Sequence, residues 1–252
     1  MTTKKNPTIL PAELTLPQLK ENQAQFSEMI RAKVQSCYQK GKISNEQYHS
    51  IMDTIALNEK IISNIYKELE GYERFFNGSS QANKQVIDAR KKYECRAIYA
   101  LRTNLIKNIK IAMSKKADKK LKTNKETTQK LTKEEMSKEI TEIDRKISKY
   151  VKFLEEKLSH VYEVENSIAY ATPTRYKFDI HSYLKAYISD FIQTCFMLTK
   201  MLTNHIDSWE DYEKHKRIIC DSISCLKEDL TTNLKKHLHG KIHRVPLKEL
   251  TQ

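Results

Sequence analysis

Residues 131–156 read "LTKEEMSKEITEIDRKISKYVKFLEE" and carry the strongest periodic signal in the chain. Two lines of apolar side chains recur at seven-residue spacing here, namely Ile140, Ile147 and Leu154 and, beside them, Met136, Ile143 and Tyr150. Such lines place one face of a helix against a core, and a sustained repeat is typical of coiled coils. The pattern predicts a long amphipathic helix, helix 4, over about 133–170.

Two corners of the sequence carry a specific signal for the start of a helix. The residue pairs at the capping-box positions of these corners are Ser44–Gln47 and Thr132–Glu135. In a capping box each side chain accepts a hydrogen bond from the backbone N–H of the other residue. Gly41, just before the first corner, suits the left-handed conformation that ends a preceding helix. Long helices are therefore expected to begin at about 45 and 133.

Further amphipathic patterns complete an all-α fold class. The predicted helices cover about 17–40, 45–76, 81–113, 133–170, 180–205 and 208–238. We expect an elongated bundle of about six helices, in which helices 2, 3 and 4 are long and coiled-coil-like. Asn58 interrupts the repeat of helix 2 and is expected to set its register. Asp179 and Asp207 are the expected N-caps of helices 5 and 6.

A Lys-rich segment divides the chain into two predicted three-helix units. The predicted organisation is a mobile N-terminus (1–14), an N-terminal unit (15–113), a Lys-rich linker or helix extension (114–131), a C-terminal unit (132–240) and a basic tail (241–252). Periodicity does not decide whether the two units pack together or stay separate.

The chain is strongly and unevenly basic. Its 252 residues include 45 Lys and Arg against 32 Asp and Glu, a formal net charge of +13. The net charge is +7 over 1–113, +5 over 114–131 and +1 over 132–252. A basic surface attracts nucleic-acid phosphates, anionic membranes or acidic proteins, and the first half and the linker are where such a surface is expected.

The basic side chains of helix 3 are expected to project away from an apolar stripe that includes Val86. Candidate contacts to phosphate or to an acidic partner are Lys92, Arg96, Arg102, Lys107, Lys110, Lys115, Lys116, Lys119 and Lys120. A solvated face is the simpler interpretation of these charges. No aromatic RNA-binding motif or compact helix-turn-helix accompanies them, so nucleic-acid binding is the alternative hypothesis, and a membrane surface is disfavoured.

No motif for catalysis, a cofactor or a metal ion is found. A Gly-rich phosphate loop, a nucleophile elbow and a His-Glu-x-x-His sequence are all missing. The 5 Cys are odd in number and form no Cys-x-x-Cys, and no apolar leader or membrane-spanning run is found. We expect a non-enzymatic protein with reduced thiols in the cytoplasm, or delivered into a host cytosol if it is an effector.

The long helical faces and the 13 Tyr favour binding to another protein. Tyr66 is expected to be partly exposed, and a candidate protein interface contains Tyr170, Arg175 and Tyr176. The leading hypothesis is an interaction module such as an adaptor, scaffold or effector, with self-association left open. Lys-, Ile- and Asn-rich helical proteins are common in intracellular bacteria, their secreted effectors and large viruses, but this composition fixes no activity.

Overall fold

A computed structural model describes residues 14–76, 81–114, 130–169 and 177–238. Within these ranges the regular elements are α1 (Leu16–Gln39), α2 (Asn45–Phe76), α3 (Gln81–Ala112), α4 (Lys133–Ala169), α5 (Lys177–Leu202), a 3₁₀ turn (Thr203–His205) and α6 (Trp209–Leu238). The prediction of an all-α bundle is confirmed. Apart from Leu14, the N-terminus expected to be mobile lies outside the described residues, as do 115–129 and the basic tail 241–252.

Both predicted capping boxes are present. The Ser44 N–H donates to Gln47 Oε1 at 2.9 Å, and the Gln47 N–H donates to Ser44 Oγ at 3.1 Å. The matching distances for Thr132 and Glu135 are 2.8 and 3.2 Å. Gly41 has a φ of 63° at the end of α1, as the sequence predicts. Each cap satisfies backbone donors that the first helical turn leaves unpaired, which stabilises the helix by about 1 kcal/mol.

The predicted caps of the last two helices are wrong. The helix α6 begins at Trp209, so its N-cap is Ser208 and not Asp207. Ser208 Oγ accepts a hydrogen bond from the Asp211 N–H at 3.4 Å. Asp207 instead forms an ion pair with Lys133 Nζ at 2.6 Å, near the start of α4. The helix α5 begins at Lys177, so Asp179 lies inside its first turn.

The two halves of the chain share one core. The main cluster of buried apolar residues draws on all six helices, for example Leu19, Ile62, Leu101, Leu154, Leu198 and Ile219. The helix α3 packs against α2 in its own half and against α5 and α6 in the other. A second cluster near the α1–α2 corner includes Phe26, Ile55 and Leu105. The helix α3 is therefore central, while the predicted domain boundaries stay a prediction.

The buried side of α4 departs along the helix from the two predicted lines of seven-residue spacing. Met136, Ile140, Ile147 and Leu154 are buried, as the sequence predicts, together with Val151 and Leu158, which lie beside the predicted lines. Ile143 and Tyr150 are only half-buried. A straight helix of 3.6 residues per turn drifts in this way against a strict repeat of 3.5. The coiled-coil character of the long helices stays a prediction.

Two positions differ from their expected exposure. Tyr66 is buried and its hydroxyl donates to the Leu19 carbonyl oxygen at 3.0 Å, so the prediction of a partly exposed ring is wrong. The packing of α1 on α2 covers this ring. Val86 was expected in the core, yet 47% of it is exposed, because it lies at the edge of the α3 core face.

Asn58 is buried and its Nδ2 donates to the Leu101 carbonyl oxygen at 3.2 Å, which ties α2 to α3.

Candidate functional site

Most of the predicted basic residues on the described part of α3 contact other helices. Lys92 Nζ and Arg96 NH1 lie 2.6 and 3.4 Å from Asp190 Oδ2 on α5. Lys107 Nζ lies 3.2 Å from Glu228 Oε1 on α6. Because α3 packs against α5 and α6, this side of the helix is turned toward neighbouring carboxylates. Each of these three cations contacts a carboxylate in the other half of the chain.

Arg102 was expected on the exposed basic face, and this prediction is wrong. Its side chain is buried against α1, where Nε donates to Gln23 Oε1 and NH1 donates to Asn22 Oδ1, both at 2.8 Å. The guanidinium lies 4.7 Å from the centre of the Phe26 ring. Burial lowers the pKa of Arg102 to about 10, so the group keeps its charge at neutral pH. Its role is to tie α3 to α1.

The remaining predicted contacts are only partly described. Lys110 is exposed, and no carboxylate of the described residues lies within ion-pair distance of it. Lys115, Lys116, Lys119 and Lys120 lie outside the described residues, and so do Tyr170, Arg175 and Tyr176 of the predicted interface. Binding of phosphate or of a protein by these residues stays a prediction.

An open groove of about 400 Å³ lies between α2, α3 and α5. Its lining consists of Tyr72 on α2, Val86, Ala89, Arg90 and Tyr93 on α3, and Gln193, Phe196, Met197 and Lys200 on α5. We refer to it as the α2/α3/α5 groove. Six of its nine lining residues are aromatic or apolar, and Arg90, Gln193 and Lys200 are the polar ones. This composition is common in binding sites for other molecules.

Four large apolar side chains of the described residues are exposed, and one of them, Val86, lines the α2/α3/α5 groove. Val86 in the groove is 47% exposed, and Phe75, three residues after the groove residue Tyr72, is 83% exposed. Phe75 and Phe76 meet edge to face, with ring centres 5.0 Å apart. Large apolar side chains exposed in this way cost free energy in water, and neighbouring ones mark surfaces that bind partners.

A network of charges holds Arg90 in the groove wall. Its Nε lies 2.7 Å from Glu94 Oε1, its NH2 lies 2.8 Å from Glu68 Oε2, and its guanidinium lies 4.9 Å from the centre of the Tyr72 ring. Glu94 is 1% exposed, and burial raises its pKa to about 7 although Arg90 acts in the opposite direction. The network connects the α2 and α3 walls of the groove.

A pair of histidines lies where α5 leads into α6. The rings of His205 and His215 stack with centres 3.5 Å apart and planes inclined by 14°. His215 Nδ1 lies 2.6 Å from the Asp211 carbonyl oxygen, a contact that a protonated Nδ1 makes as a donor. Burial lowers the pKa of both imidazoles, and the Lys60 ammonium lowers both further. Two stacked imidazoles that disfavour protonation act as a structural contact at neutral pH.

The described residues show no other reactive arrangement. Burial raises the pKa of the Cys95 thiol to about 11 and also raises that of the Cys195 thiol, which makes both poor nucleophiles at neutral pH. Within the described ranges no three His, Cys, Asp or Glu side chains are grouped to hold a metal ion. Across the same ranges no helix has the length and apolar character needed to cross a membrane.

The groove residues were not among the predicted site residues. A signal was present in the sequence, because Val86, Ala89, Arg90 and Tyr93 follow the spacing of a single helical face and include an arginine among apolar side chains. The sequence pattern placed Val86 in the apolar stripe of helix 3. The order in which α2 and α5 flank α3 decides whether this face is covered, and the periodicity of α3 contains no information about that order.

Comparisons with known proteins assign the chain to no family. No protein-family model, curated protein or solved structure matches it.

Proposed function

We propose that the chain is a non-enzymatic helical protein that binds another protein through the α2/α3/α5 groove. The observation that carries this proposal is the exposed Val86 inside a groove whose walls include Tyr72, Tyr93 and Phe196. Tyr, Phe, Met and Arg are the residue types enriched in the cores of protein interfaces, and all four are present here. Adaptor, scaffold and effector roles all require such a surface.

The rigidity of the groove supports the same proposal. Arg90 is held by Glu68, Glu94 and the Tyr72 ring, so two walls of the groove are connected before binding. A partner then loses less conformational entropy on the side of this chain than it would with a mobile surface. A preorganised apolar groove is an efficient binding surface for a protein segment.

The contacts of α3 favour protein binding over the nucleic-acid alternative. A phosphate on α3 would have to compete with Asp190 for Lys92 and Arg96, and with Glu228 for Lys107. In each case the phosphate would replace a carboxylate, so the gain in binding free energy would be smaller than at an unpaired lysine. The alternative then depends on Lys110 and on residues outside the described ranges.

Affinity purification from native lysate tests the proposal when wild-type protein is compared with two variants. Val86→Asp places a charge in the groove, whereas Ile111→Asp places the same charge near the other end of α3, where the exposure is 51% against 47% at Val86. Mass spectrometry identifies the retained proteins, and absorbance reveals nucleic acid. At about 0.15 M salt, where the Debye length is about 8 Å, long-range attraction between surface charges is largely screened.

We expect a protein partner that the wild type and Ile111→Asp retain and that Val86→Asp loses. Retention of nucleic acid by all three proteins, decreasing steeply as salt rises, would favour the alternative. A wild-type protein that retains neither a protein nor nucleic acid would refute both. Circular dichroism of the two variants checks that each one is folded.

A further inference from the structure

The groove walls offer side chains and no free backbone. Each wall is an α-helix whose N–H and C=O groups are already paired within the helix, and the described residues contain no strand edge. An extended peptide would therefore find no backbone partners along these walls. An α-helical segment pairs its own backbone and therefore leaves no backbone hydrogen bond unmade in such a groove.

The lining residues on α3 and α5 form two regularly spaced helical faces. The four residues on α3, from Val86 to Tyr93, occupy positions i, i+3, i+4 and i+7, and the four on α5, from Gln193 to Lys200, repeat this spacing. The two walls run in opposite directions along the groove. Lys92 on α3 contacts Asp190 on α5, and Val86, which precedes Lys92, lies across from α5 residues that follow Asp190. Two antiparallel helical faces of about two turns each, about 10 Å long, form a surface on which a third helix can pack.

The charges at the groove select the partner's polar residues. Arg90 is already paired with Glu68 and Glu94, but Lys200 is exposed and has no carboxylate of the described residues within ion-pair distance. A partner with an acidic side chain next to Lys200 gains a complementary contact, and a basic one is repelled. At low ionic strength the formal net charge of +13 adds long-range attraction for an acidic segment.

Resting on the proposed function, we infer that the partner enters the α2/α3/α5 groove as an amphipathic α-helix. Its apolar residues at i, i+3, i+4 and i+7 contact Val86, Tyr93 and Phe196, and an Asp or Glu beside this face pairs with Lys200. The recognition chemistry is that of a short acidic helix in a groove made of helices.

Selection from a random-peptide library tests this inference before any natural partner is identified. The peptides are about 15 residues long, enough for about four helical turns. Wild-type protein is the bait, and Val86→Asp is used to remove peptides that bind elsewhere. The affinity of each enriched peptide is then measured for the wild type, for Lys200→Glu and for Lys185→Glu, a control at another exposed lysine of α5.

We expect enriched peptides with helical apolar spacing and acidic residues that become helical on binding. Lys200→Glu should weaken them about three- to tenfold, and Lys185→Glu should leave them unchanged. Enrichment of proline-rich or basic peptides, or of none that depend on Val86, would overturn the inference. A lysate partner that depends on Val86 but not on Lys200 would leave the proposed function in place, so the two failures can be told apart.

Discussion

Replacing Glu94 by Gln is expected to remove a loss of stability that the wild type undergoes as the pH rises from 5 to 8. Burial raises the pKa of this carboxyl from 4.5 to about 7 in the folded protein. The folded state therefore binds the proton more tightly than the unfolded chain, and the stabilisation present below pH 4.5 is lost as the pH rises through 7. At about 1.4 kcal/mol per pKa unit, the loss between pH 5 and pH 8 is about 2.5 kcal/mol.

Urea denaturation of the wild type and of Glu94→Gln at pH 5, 6.5 and 8 measures this loss. We expect the free energy of unfolding of the wild type to fall by about 2.5 kcal/mol more than that of Glu94→Gln over this range. Glu155→Gln, on the exposed side of α4, is the matched control and should follow the wild type. If the free energy of unfolding of the wild type and of Glu94→Gln changes equally with pH, burial does not raise the pKa of Glu94, and the reasoning is refuted.

Two further predictions concern the interior of the bundle. Tyr66→Phe should lower the free energy of unfolding by about 1 kcal/mol in urea denaturation, since it leaves the buried Leu19 carbonyl oxygen without its 3.0 Å donor, while Tyr99→Phe at a half-buried ring should have a smaller effect. The lowered pKa values of His205 and His215 predict that stability is lost as the pH falls below 6.5, because the unfolded chain then binds protons that the folded chain excludes. His215→Leu should lose less stability than the wild type between pH 7 and pH 5, and an equal loss would contradict this assignment.

Sequence patterns predicted the helices well because the signals for them are local. The Ser44–Gln47 and Thr132–Glu135 boxes are closed within four residues, and Gly41 ends α1 through its own backbone. None of these contacts depends on which helices later become neighbours. The predicted cap of α6 failed because Asp207 pairs with Lys133 instead.

The candidate site was harder to predict because it depends on contacts between distant parts of the chain. The α3 charges look like an open basic stripe until α5 and α6 bring Asp190 and Glu228 to them. Arg102 looks like one more exposed cation until α1 covers it with Asn22 and Gln23. A helical repeat identifies which side chains share a face, but it does not identify the element that packs against that face.

The central claim is that the α2/α3/α5 groove binds a protein partner, and titration calorimetry with the recovered partner tests it most directly. Binding is measured for the wild type, Val86→Asp and Ile111→Asp, all confirmed to be folded. We expect Val86→Asp, at the centre of the proposed interface, to weaken the affinity about tenfold or more. Ile111→Asp, outside that interface, should leave the affinity unchanged. Equal affinities for all three proteins, or a loss confined to Ile111→Asp, would contradict the claim.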